Sequence, residues 1–258
     1  MKKRPHPFRK KCGQNFLNDI NLLNKIVEVV KPQNEDLFLE IGPGDGALTE
    51  KILPNVQSMT SVEIDPLLVQ SLSNNSQLKD LSIIQDDILN IDIENLSMRK
   101  PVRILGNIPY NITSSIIFWL IEQLDFWSDA YIMMQREVAE RLIADVGTKQ
   151  YGRISVVTSV FLKKKICLNI PPEVFYPKPK VRSSLVKFSK RTKSIVGDDE
   201  FVKFNNLVRT AFSMRRKMIK NTLAGYDFSS EVKNSIDFTR RPETISPKEF
   251  AFLTKSIL

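Results

Sequence analysis

Residues 37–46 are Leu37-Phe38-Leu39-Glu40-Ile41-Gly42-Pro43-Gly44-Asp45-Gly46, and this stretch decides the fold. It begins as an apolar run, which is typical of a strand buried in a parallel sheet. It ends in a glycine-rich turn, where the missing side chains let a ligand approach the backbone closely. Residues 47–53 then have a helical pattern. The order of strand, glycine turn and helix predicts a ligand site at this turn.

Strand and helix patterns alternate on both sides of this stretch. Helices are predicted at residues 19–30, 66–72, 112–121, 136–143 and, with a strand as the alternative, 153–161. Further strands are predicted at residues 58–64, 81–85, 102–105, 130–134 and 181–188. Such alternation indicates a parallel sheet covered by helices on both faces. Ligands bind these sheets at the carboxyl ends of the strands.

The pattern changes near residue 191, after which only helices are predicted. Residues 201–223 carry an apolar stripe that is typical of an amphipathic helix, at Leu207, Ala211, Met214 and Met218. We therefore predict an α/β protein in two parts. Residues 1–190 form the sheet domain with a basic N-terminal arm, and residues 191–258 form a small all-helical domain.

The charge is distributed unevenly along the 258 residues. The net charge is +9, yet residues 12–148 hold 9 basic and 20 acidic side chains. Residues 1–11 hold six Lys or Arg and no acid, and residues 149–258 hold 23 basic and 9 acidic side chains. An acidic middle between basic ends indicates that the ends contact a polyanion such as nucleic acid. The alternative is that these cations only solvate the surface.

Composition also bounds the environment of the protein. No apolar run is long enough to cross a membrane, and no apolar stretch follows the basic amino terminus as in a signal peptide. Cys12 and Cys167 give neither a disulfide framework nor the spacing of metal ligands. We expect a cytoplasmic protein with no metal and no membrane partner. No feature indicates a dimer, so a monomer is expected.

The glycine turn is compatible with two cofactors. Gly42, Gly44 and Ala47 fit the dinucleotide fingerprint, and Glu63 lies at the distance of a ribose-binding carboxylate. The pattern alone does not separate a nicotinamide cofactor from S-adenosylmethionine. Glu40 favours S-adenosylmethionine, because a carboxylate suits a cationic sulfonium and repels a pyrophosphate. Asp87 ends the third strand, where it could bond an adenine amine.

The second motif, Asn107-Ile108-Pro109-Tyr110, predicts a site for the amino group of a nucleobase. Two hydrogen-bond acceptors, the Asn107 side-chain oxygen and the Ile108 carbonyl, would free the lone pair of an exocyclic amine. Pro109 stiffens the turn, and Tyr110 can stack on the base. Phe175, in a proline-rich loop, could close on the opposite face. For both aromatic residues the alternative is plain packing.

The chain resembles the ribosomal RNA small-subunit adenine dimethyltransferases, the KsgA family, over nearly its whole length. The resemblance is carried by Gly13-Gln14-Asn15-Phe16-Leu17, Glu40 to Gly46, Glu63, Asp87, Gly106 to Asn111, Tyr151-Gly152-Arg153, Pro171 to Val181, and Phe212 to Leu223. Cys12 departs from the family pattern, which leads us to expect a bulky residue there. The resemblance implies a Rossmann-like class I methyltransferase sheet with a small all-helical C-terminal domain.

The resemblance also implies an activity. The expected contacts to S-adenosylmethionine are Asn15, Leu17, Gly42, Glu63, Asp87 and Asn107. The implied substrate is a pair of adjacent adenosines in the 3′-terminal hairpin of small-subunit (16S) ribosomal RNA, each methylated twice on N6. The implied partner is a pre-ribosomal 30S particle late in assembly.

Other interpretations of the motifs stay open at this point. A large-subunit ribosomal RNA methyltransferase of the macrolide-resistance type shares the same motifs, and a DNA adenine methyltransferase is a weaker choice. An assembly factor that has lost catalysis is a third, against which the intact site residues argue. The run Arg215-Arg216-Lys217 favours the small-subunit family. We predict that these three side chains face RNA, the alternative being that an arginine supports the domain interface.

Overall fold

The computed structural model describes residues 15–257, and the predicted basic arm, His6 and Cys12 lie outside the described residues. The chain forms two compact units. The first takes in the described residues up to Arg136 together with Lys165–Phe188, and the second takes in Glu137–Lys164 and the residues from Ser189 onward. Residues 137–164, which the sequence analysis assigned to the sheet domain, cluster with the C-terminal helices. The predicted boundary at residue 190 stays a prediction.

The strands and helices alternate as expected through the first half of the chain. The strands are β1 (Phe16–Leu17), β2 (Leu37–Ile41), β3 (Ser58–Glu63), β4 (Ser82–Gln85), β5 (Val102–Asn107), β6 (Trp127–Gln135), β7 (Leu162–Ile170), β8 (Phe175–Tyr176) and β9 (Ser183–Lys190). The helices are α1 (Ile20–Val30), α2 (Thr49–Ile52), α3 (Pro66–Ser73), α4 (Thr113–Glu122), α5 (Arg136–Ile143), α6 (Arg153–Phe161), α7 (Phe201–Ala211), α8 (Ile219–Thr222), α9 (Ser230–Ser235) and α10 (Pro247–Lys255).

Seven strands form one sheet in the order β4-β3-β2-β5-β6-β9-β7. The pairs β2–β3, β2–β5, β3–β4 and β5–β6 are all parallel. The chain runs outward from β2 to β4 and then returns to place β5 on the other side of β2. The strand order therefore reverses between β2 and β5, and such a switch point opens a crevice at the carboxyl ends of the strands. The predicted α/β fold is confirmed.

Local sequence explains the boundaries of several elements. The side chain of Asp19 accepts a hydrogen bond from the backbone N–H of Leu22 and so caps α1. Asp65 caps α3 in the same way, and Pro66 occupies the first helical position, which suits its fixed φ. The alternative at residues 153–161 is settled as helix α6.

Strand β7 was not predicted. It lies at the edge of the sheet, and its sequence begins Leu162-Lys163-Lys164-Lys165. Lysines on an edge strand discourage pairing with a further strand, and they also hide the alternation that identifies a strand in sequence. Lys164 is half-buried, and its Nζ donates to the Ser155 carbonyl and to Thr158 Oγ1.

The predicted amphipathic helix at residues 201–223 is wrong beyond Ala211. Helix α7 ends there, and Met214 and Met218 are 51% and 40% exposed instead of completing a buried stripe. The reason lies in distant backbone hydrogen bonds within the second unit. The N–H groups of Ile219 and Lys220 donate to the carbonyls of Arg240 and Phe238, which replaces the bonds of a continuous helix.

Within residues 15–257, no helix combines the length and the apolarity that a membrane span requires.

Candidate functional site

A cavity of about 290 Å³ opens at the carboxyl ends of the strands on either side of the switch point, inside the first unit. Its size suits a small-molecule ligand. The residues that line it come from β1, from the loops after β2, β3 and β4, and from the turn after β5: Asn15, Phe16, Leu17, Glu40, Ile41, Gly42, Pro43, Gly44, Asp45, Ala47, Leu48, Val62, Glu63, Ile64, Asp86, Asp87, Ile88, Asn107, Ile108, Pro109, Asn111 and Ile112.

The glycine turn brings backbone to the cavity wall. Gly42 and Gly44 have φ angles of 65° and 61°, which L side chains rarely adopt. A Cβ atom on Gly44 would meet the Phe16 ring at 3.1 Å. A Cβ atom on Gly42 would lie 3.8 Å from the carbonyl oxygen of Asn107. The glycines therefore form a cradle in which the two predicted motifs meet.

Glu63 ends β3 and is held by backbone. Its Oε2 accepts a hydrogen bond from Gly44 N at 3.4 Å, and its Oε1 accepts one from Asp65 N at 3.0 Å. Burial raises the pKa of this carboxyl above its ordinary value, and those backbone bonds oppose the rise. The carboxylate is fixed between the glycine turn and the end of its strand, which suits a ligand with hydroxyl groups.

Glu40 lies at the end of β2 and is only 2% exposed. One oxygen, Oε2, accepts hydrogen bonds from Thr49 Oγ1 at 2.6 Å and from Ser61 Oγ at 3.1 Å. Burial raises the pKa of Glu40 to about 7, the two hydroxyl groups oppose this rise, and the charges of Glu63 and Asp45 add to it. The carboxyl is thus poised between its neutral and charged forms near neutral pH.

Asp87 lines the cavity where β4 has ended. Its Oδ1 accepts a hydrogen bond from Leu89 N at 3.0 Å, which caps a short 3₁₀ helix and fixes the carboxylate. Asp86 accepts a bond from the N–H of Asp87. With the two glutamates and Asp45, five carboxyl groups surround the cavity, and none of its lining residues in the described part of the chain is Lys, Arg or His. The cavity therefore favours a ligand that carries positive charge.

Asn107 ends β5 and faces the glycine cradle. Its Nδ2 donates to the Asn15 carbonyl oxygen at 2.8 Å, so Oδ1 is the side-chain atom that can accept a bond. Ile108 and Pro109 follow it in the cavity wall, and Ile108 is 2% exposed. The structure thus brings all six predicted cofactor contacts together at the cavity wall: Asn15, Leu17, Gly42, Glu63, Asp87 and Asn107.

The two predicted stacking residues do not line the cavity. Tyr110 is half-buried, and its hydroxyl lies 2.6 Å from Ser183 Oγ. Phe175 is 3% exposed and is paired with Leu17 between β8 and β1. Its ring belongs to the hydrophobic core behind that strand. Stacking of Tyr110 and Phe175 on a base stays a prediction.

Among the lining residues that the sequence analysis did not name as contacts, three stand out: Phe16, Ile64 and Ile88. Phe16 packs against the glycine turn, and its ring meets the position of a Cβ on Gly44. Ile64 is 57% exposed, which is unusual for an isoleucine that follows a buried strand, and Ile88 follows Asp87. An acid followed by isoleucine occurs near the ends of two neighbouring strands. This repeated pair is the signal in the sequence that indicates an acidic, apolar-walled site.

The predicted RNA contacts lie in the second unit and differ among themselves. The Arg215 guanidinium donates to the carbonyl oxygens of Thr148 and Lys149 at 3.3 and 2.5 Å. Arg216 and Lys217 are exposed. Arg215 therefore ties the end of the 3₁₀ helix Phe212–Met214 to a loop of its own unit, while its two neighbours present their charges to solvent.

The fold and the cavity together define a Rossmann-like class I methyltransferase. A dimethyladenosine transferase from Plasmodium falciparum superposes with a TM-score of 0.78 at 25% identity, covering 93% of this chain and 95% of that one. The 23S rRNA methyltransferase ErmE superposes with a TM-score of 0.73 at 24% identity over 94% of this chain and 99% of its own, and shares the fold. Proteins of this class use S-adenosylmethionine.

Sequence comparison identifies the family within this class. The family described as ribosomal RNA adenine dimethylase matches residues 5–253. The ribosomal RNA small subunit methyltransferase A of Leptothrix cholodnii is 37% identical over 254 residues, which are 98% of this chain and 93% of that protein. The chain belongs to the ribosomal RNA adenine dimethylase family. The resemblance predicted from the motifs is confirmed.

Proposed function

We propose that this protein transfers methyl groups from S-adenosylmethionine to N6 of two adjacent adenosines in the 3′-terminal hairpin of small-subunit ribosomal RNA, giving dimethyladenosines. We place this reaction on a pre-ribosomal 30S particle late in assembly, in the cytoplasm, with the enzyme acting as a monomer. The family match and the name of the curated relative support the small-subunit substrate. The observation that carries the chemistry is that Asn107 and the glycine turn meet in one cavity.

The residues around the cavity fit S-adenosylmethionine. Gly42 and Gly44 keep side chains out of the cradle, and the Glu63 carboxylate suits the two ribose hydroxyl groups. Asp87 would accept a bond from the adenine amine, with Ile64 and Ile88 against its ring faces. Asn15 and Leu17 would contact the remainder of the cofactor. When it is bound, S-adenosylmethionine supplies an electrophilic methyl group.

The turn after β5 would prepare the target amine. Asn107 Oδ1 and the Ile108 carbonyl oxygen would accept hydrogen bonds from the two N–H groups of N6, so that the nitrogen lone pair turns out of the ring and toward the methyl group. Pro109 holds the second acceptor in place because its φ is fixed. Catalysis then rests on positioning and on fixed dipoles. Tyr110 would stack on the base, and Phe175 would do so only if its ring left the core.

The exposed cations of the second unit would bind the RNA backbone. Arg216 and Lys217 present their charges to solvent, and phosphate contacts of this kind make affinity depend on salt. Arg215 would act in part through the loop carbonyls that it holds. Replacing Arg216 and Lys217 by Ala should weaken RNA binding and lower the salt slope of the binding constant by about two. The control is Lys25→Ala with Lys79→Ala, exposed lysines of the first unit; an equal loss there would contradict a specific surface.

The decisive experiment is methyl transfer from labelled S-adenosylmethionine to small subunits from cells that lack this modification, with the product mapped by mass spectrometry. We expect dimethyladenosine at two adjacent positions in the 3′-terminal hairpin. Label on large-subunit RNA instead would favour the macrolide-resistance type of activity. Cofactor binding without any transfer would favour an assembly factor that has lost catalysis.

A further inference from the structure

The cavity presents an imbalance of charge that the methyl-transfer geometry does not use. Five carboxyl groups line it, and no cation lines it within residues 15–257. The methyl donor carries a positive sulfonium, whereas the product left after transfer carries a neutral thioether. Donor and product otherwise share the same adenosine and amino-acid groups. Charge is therefore the property by which this cavity can separate the two.

Glu40 is the most deeply buried of these carboxyl groups, and its surroundings are defined. Ser61 stands opposite it on β3 and Leu105 opposite it on β5. Thr49, on α2, and Ser61 both donate to the same oxygen, Oε2. The charged groups that face Glu40 are Glu63 on β3 and Asp45 in the glycine turn, and both are acidic. An ionised Glu40 would thus have two hydroxyl donors and, among its described neighbours, no compensating cation.

We propose that Glu40 makes the cavity selective for the cationic donor over the neutral product, because it must carry its negative charge when the sulfonium is bound, whereas the product binds whether or not Glu40 holds a proton. This inference rests on the proposed function. Where the ligand-free protein holds this proton, the proton leaves the carboxyl as the donor binds and returns to it once the methyl group has gone. In the free protein a proton neutralises this buried carboxyl, and in the donor complex the bound sulfonium neutralises it instead.

The expected size of the effect follows from linkage. The pKa of Glu40 without a ligand is raised to about 7 by burial. If only the ionised form binds the donor tightly, the apparent Kd for the donor falls about tenfold from pH 6 to pH 8, because the competent fraction rises by that factor. The Kd for the product should change little over the same range.

Such selectivity matters for an enzyme that acts repeatedly on one particle. Two adenosines with two methyl groups each require a fresh donor for every transfer. A cavity that binds the neutral product less well than the donor speeds this exchange, since most differences in affinity between related ligands are differences in the rate of dissociation.

The test is calorimetric binding of S-adenosylmethionine and of S-adenosylhomocysteine, between pH 6 and pH 8, to the full-length wild type and to Glu40→Gln. The two ligands share the same ionisable groups, so the titration of those groups cancels in the ratio of the two Kd values. This ratio is measured for each protein and then compared between the two proteins. In the wild type this ratio should favour the donor about tenfold more at pH 8 than at pH 6. Glu40→Gln keeps an oxygen that can accept from Thr49 and Ser61. In this variant the ratio should not change between pH 6 and pH 8.

A second measurement keeps the proposal testable if that variant folds poorly. Binding enthalpies of the wild type in buffers of different ionisation enthalpy count the protons released. Near pH 6.5 the donor should release most of one proton more than the product does. Asp45→Asn is the matched control: it keeps the Glu40 carboxyl, so donor binding should still depend on pH, with the dependence shifted to lower pH because one charge that raises the pKa of Glu40 is gone. Binding of both ligands with equal proton release would overturn the role of Glu40, whereas failure of both to bind would overturn the proposed function.

Discussion

Charged side chains are paired at the amino end of β5 and lie without a cation among the described lining residues of the cavity at its carboxyl end. At its amino end, the Arg103 guanidinium donates to Asp36 at 2.6 Å and to Asp129 at 2.8 Å. The rings of Phe38 and Tyr131 flank it, with centroids 5.1 and 5.7 Å from Cζ. At its carboxyl end, Asn107 faces a cavity with five carboxyl groups and no described lining cation.

The difference separates stability from function within one strand. The charges at the amino end are neutralised inside the protein, so folding alone satisfies them. The carboxyl groups at the other end repel one another until a cationic ligand arrives. A binding site of this kind lowers the stability of the free protein in exchange for affinity, which is the usual conflict between the two.

Removing the cation at the amino end should have the largest effect. Arg103→Ala leaves the largely buried Asp36 without its ion-pair partner and leaves Asp129 with only Lys187, at 3.3 Å. We expect the free energy of unfolding to fall by about 3–5 kcal/mol. Urea unfolding at neutral pH measures this. The control is Arg141→Ala, whose ion pair with Glu137 is exposed and should cost less than about 1 kcal/mol. Equal losses of unfolding free energy in the two variants would mean that the Arg103 cluster at the amino end of β5 is worth no more than an exposed ion pair.

Removing the acceptor at the carboxyl end should affect turnover and not folding. Asn107→Ala deletes Oδ1, and we expect kcat to fall by about 10²–10³-fold, as when one oriented polar group is removed from a reacting centre. Cofactor binding should be partly retained, with some loss because Nδ2 no longer holds the Asn15 carbonyl. Single-turnover methylation and calorimetry measure the two effects. Asn24→Ala, on the exposed face of α1, is the control, and near-normal methylation by Asn107→Ala would refute the amine contacts.

Neutralising Glu40 should stabilise the protein without its ligand. The folded pKa is about 7 and the ordinary value is 4.5, so the folded state holds the proton more tightly. The stabilisation this gives is fully present below about pH 4.5 and is lost as pH rises through about 7. Glu40→Gln should therefore be more stable than the wild type by about 2–3 kcal/mol at pH 8, with the difference shrinking toward pH 5. Urea unfolding at a series of pH values measures this difference in the free energy of unfolding. A difference that did not change with pH would contradict the raised pKa of Glu40.

The smallest expected effects come from the glycines. Gly44→Ala and Gly147→Ala both place a side chain at a positive φ, which costs about 1 kcal/mol each. Only at Gly44 would the new Cβ also meet a neighbour, the Phe16 ring, whereas none lies within 4 Å of it at Gly147. Gly44→Ala should therefore lose more stability in urea than Gly147→Ala, and only Gly44→Ala should bind S-adenosylmethionine more weakly. Unchanged affinity in both would mean that the cradle tolerates a methyl group.

The sequence predicted those parts of the site that depend on neighbours along the chain. The glycine turn follows an apolar strand, and Glu63 and Asp87 come where strands end, so a parallel sheet necessarily carries them to one edge. The prediction failed for residues 201–223, where distant carbonyls take the backbone N–H groups of Ile219 and Lys220. It also missed β7, whose lysines obscure the alternation of a strand at the sheet edge.

The sequence by itself determined the α/β class, the family and the order of the motifs, because strand periodicity, glycine positions and motif spacing are local properties. Only the tertiary structure decided how the side chains share charge. It put Phe175 in the core, tied Arg215 to the carbonyls of a loop, and enclosed Glu40 between Thr49 and Ser61. Burial and hydrogen-bond partners depend on residues that lie far apart in the chain. They raise the pKa of Glu40 above its ordinary value, which the sequence alone does not reveal.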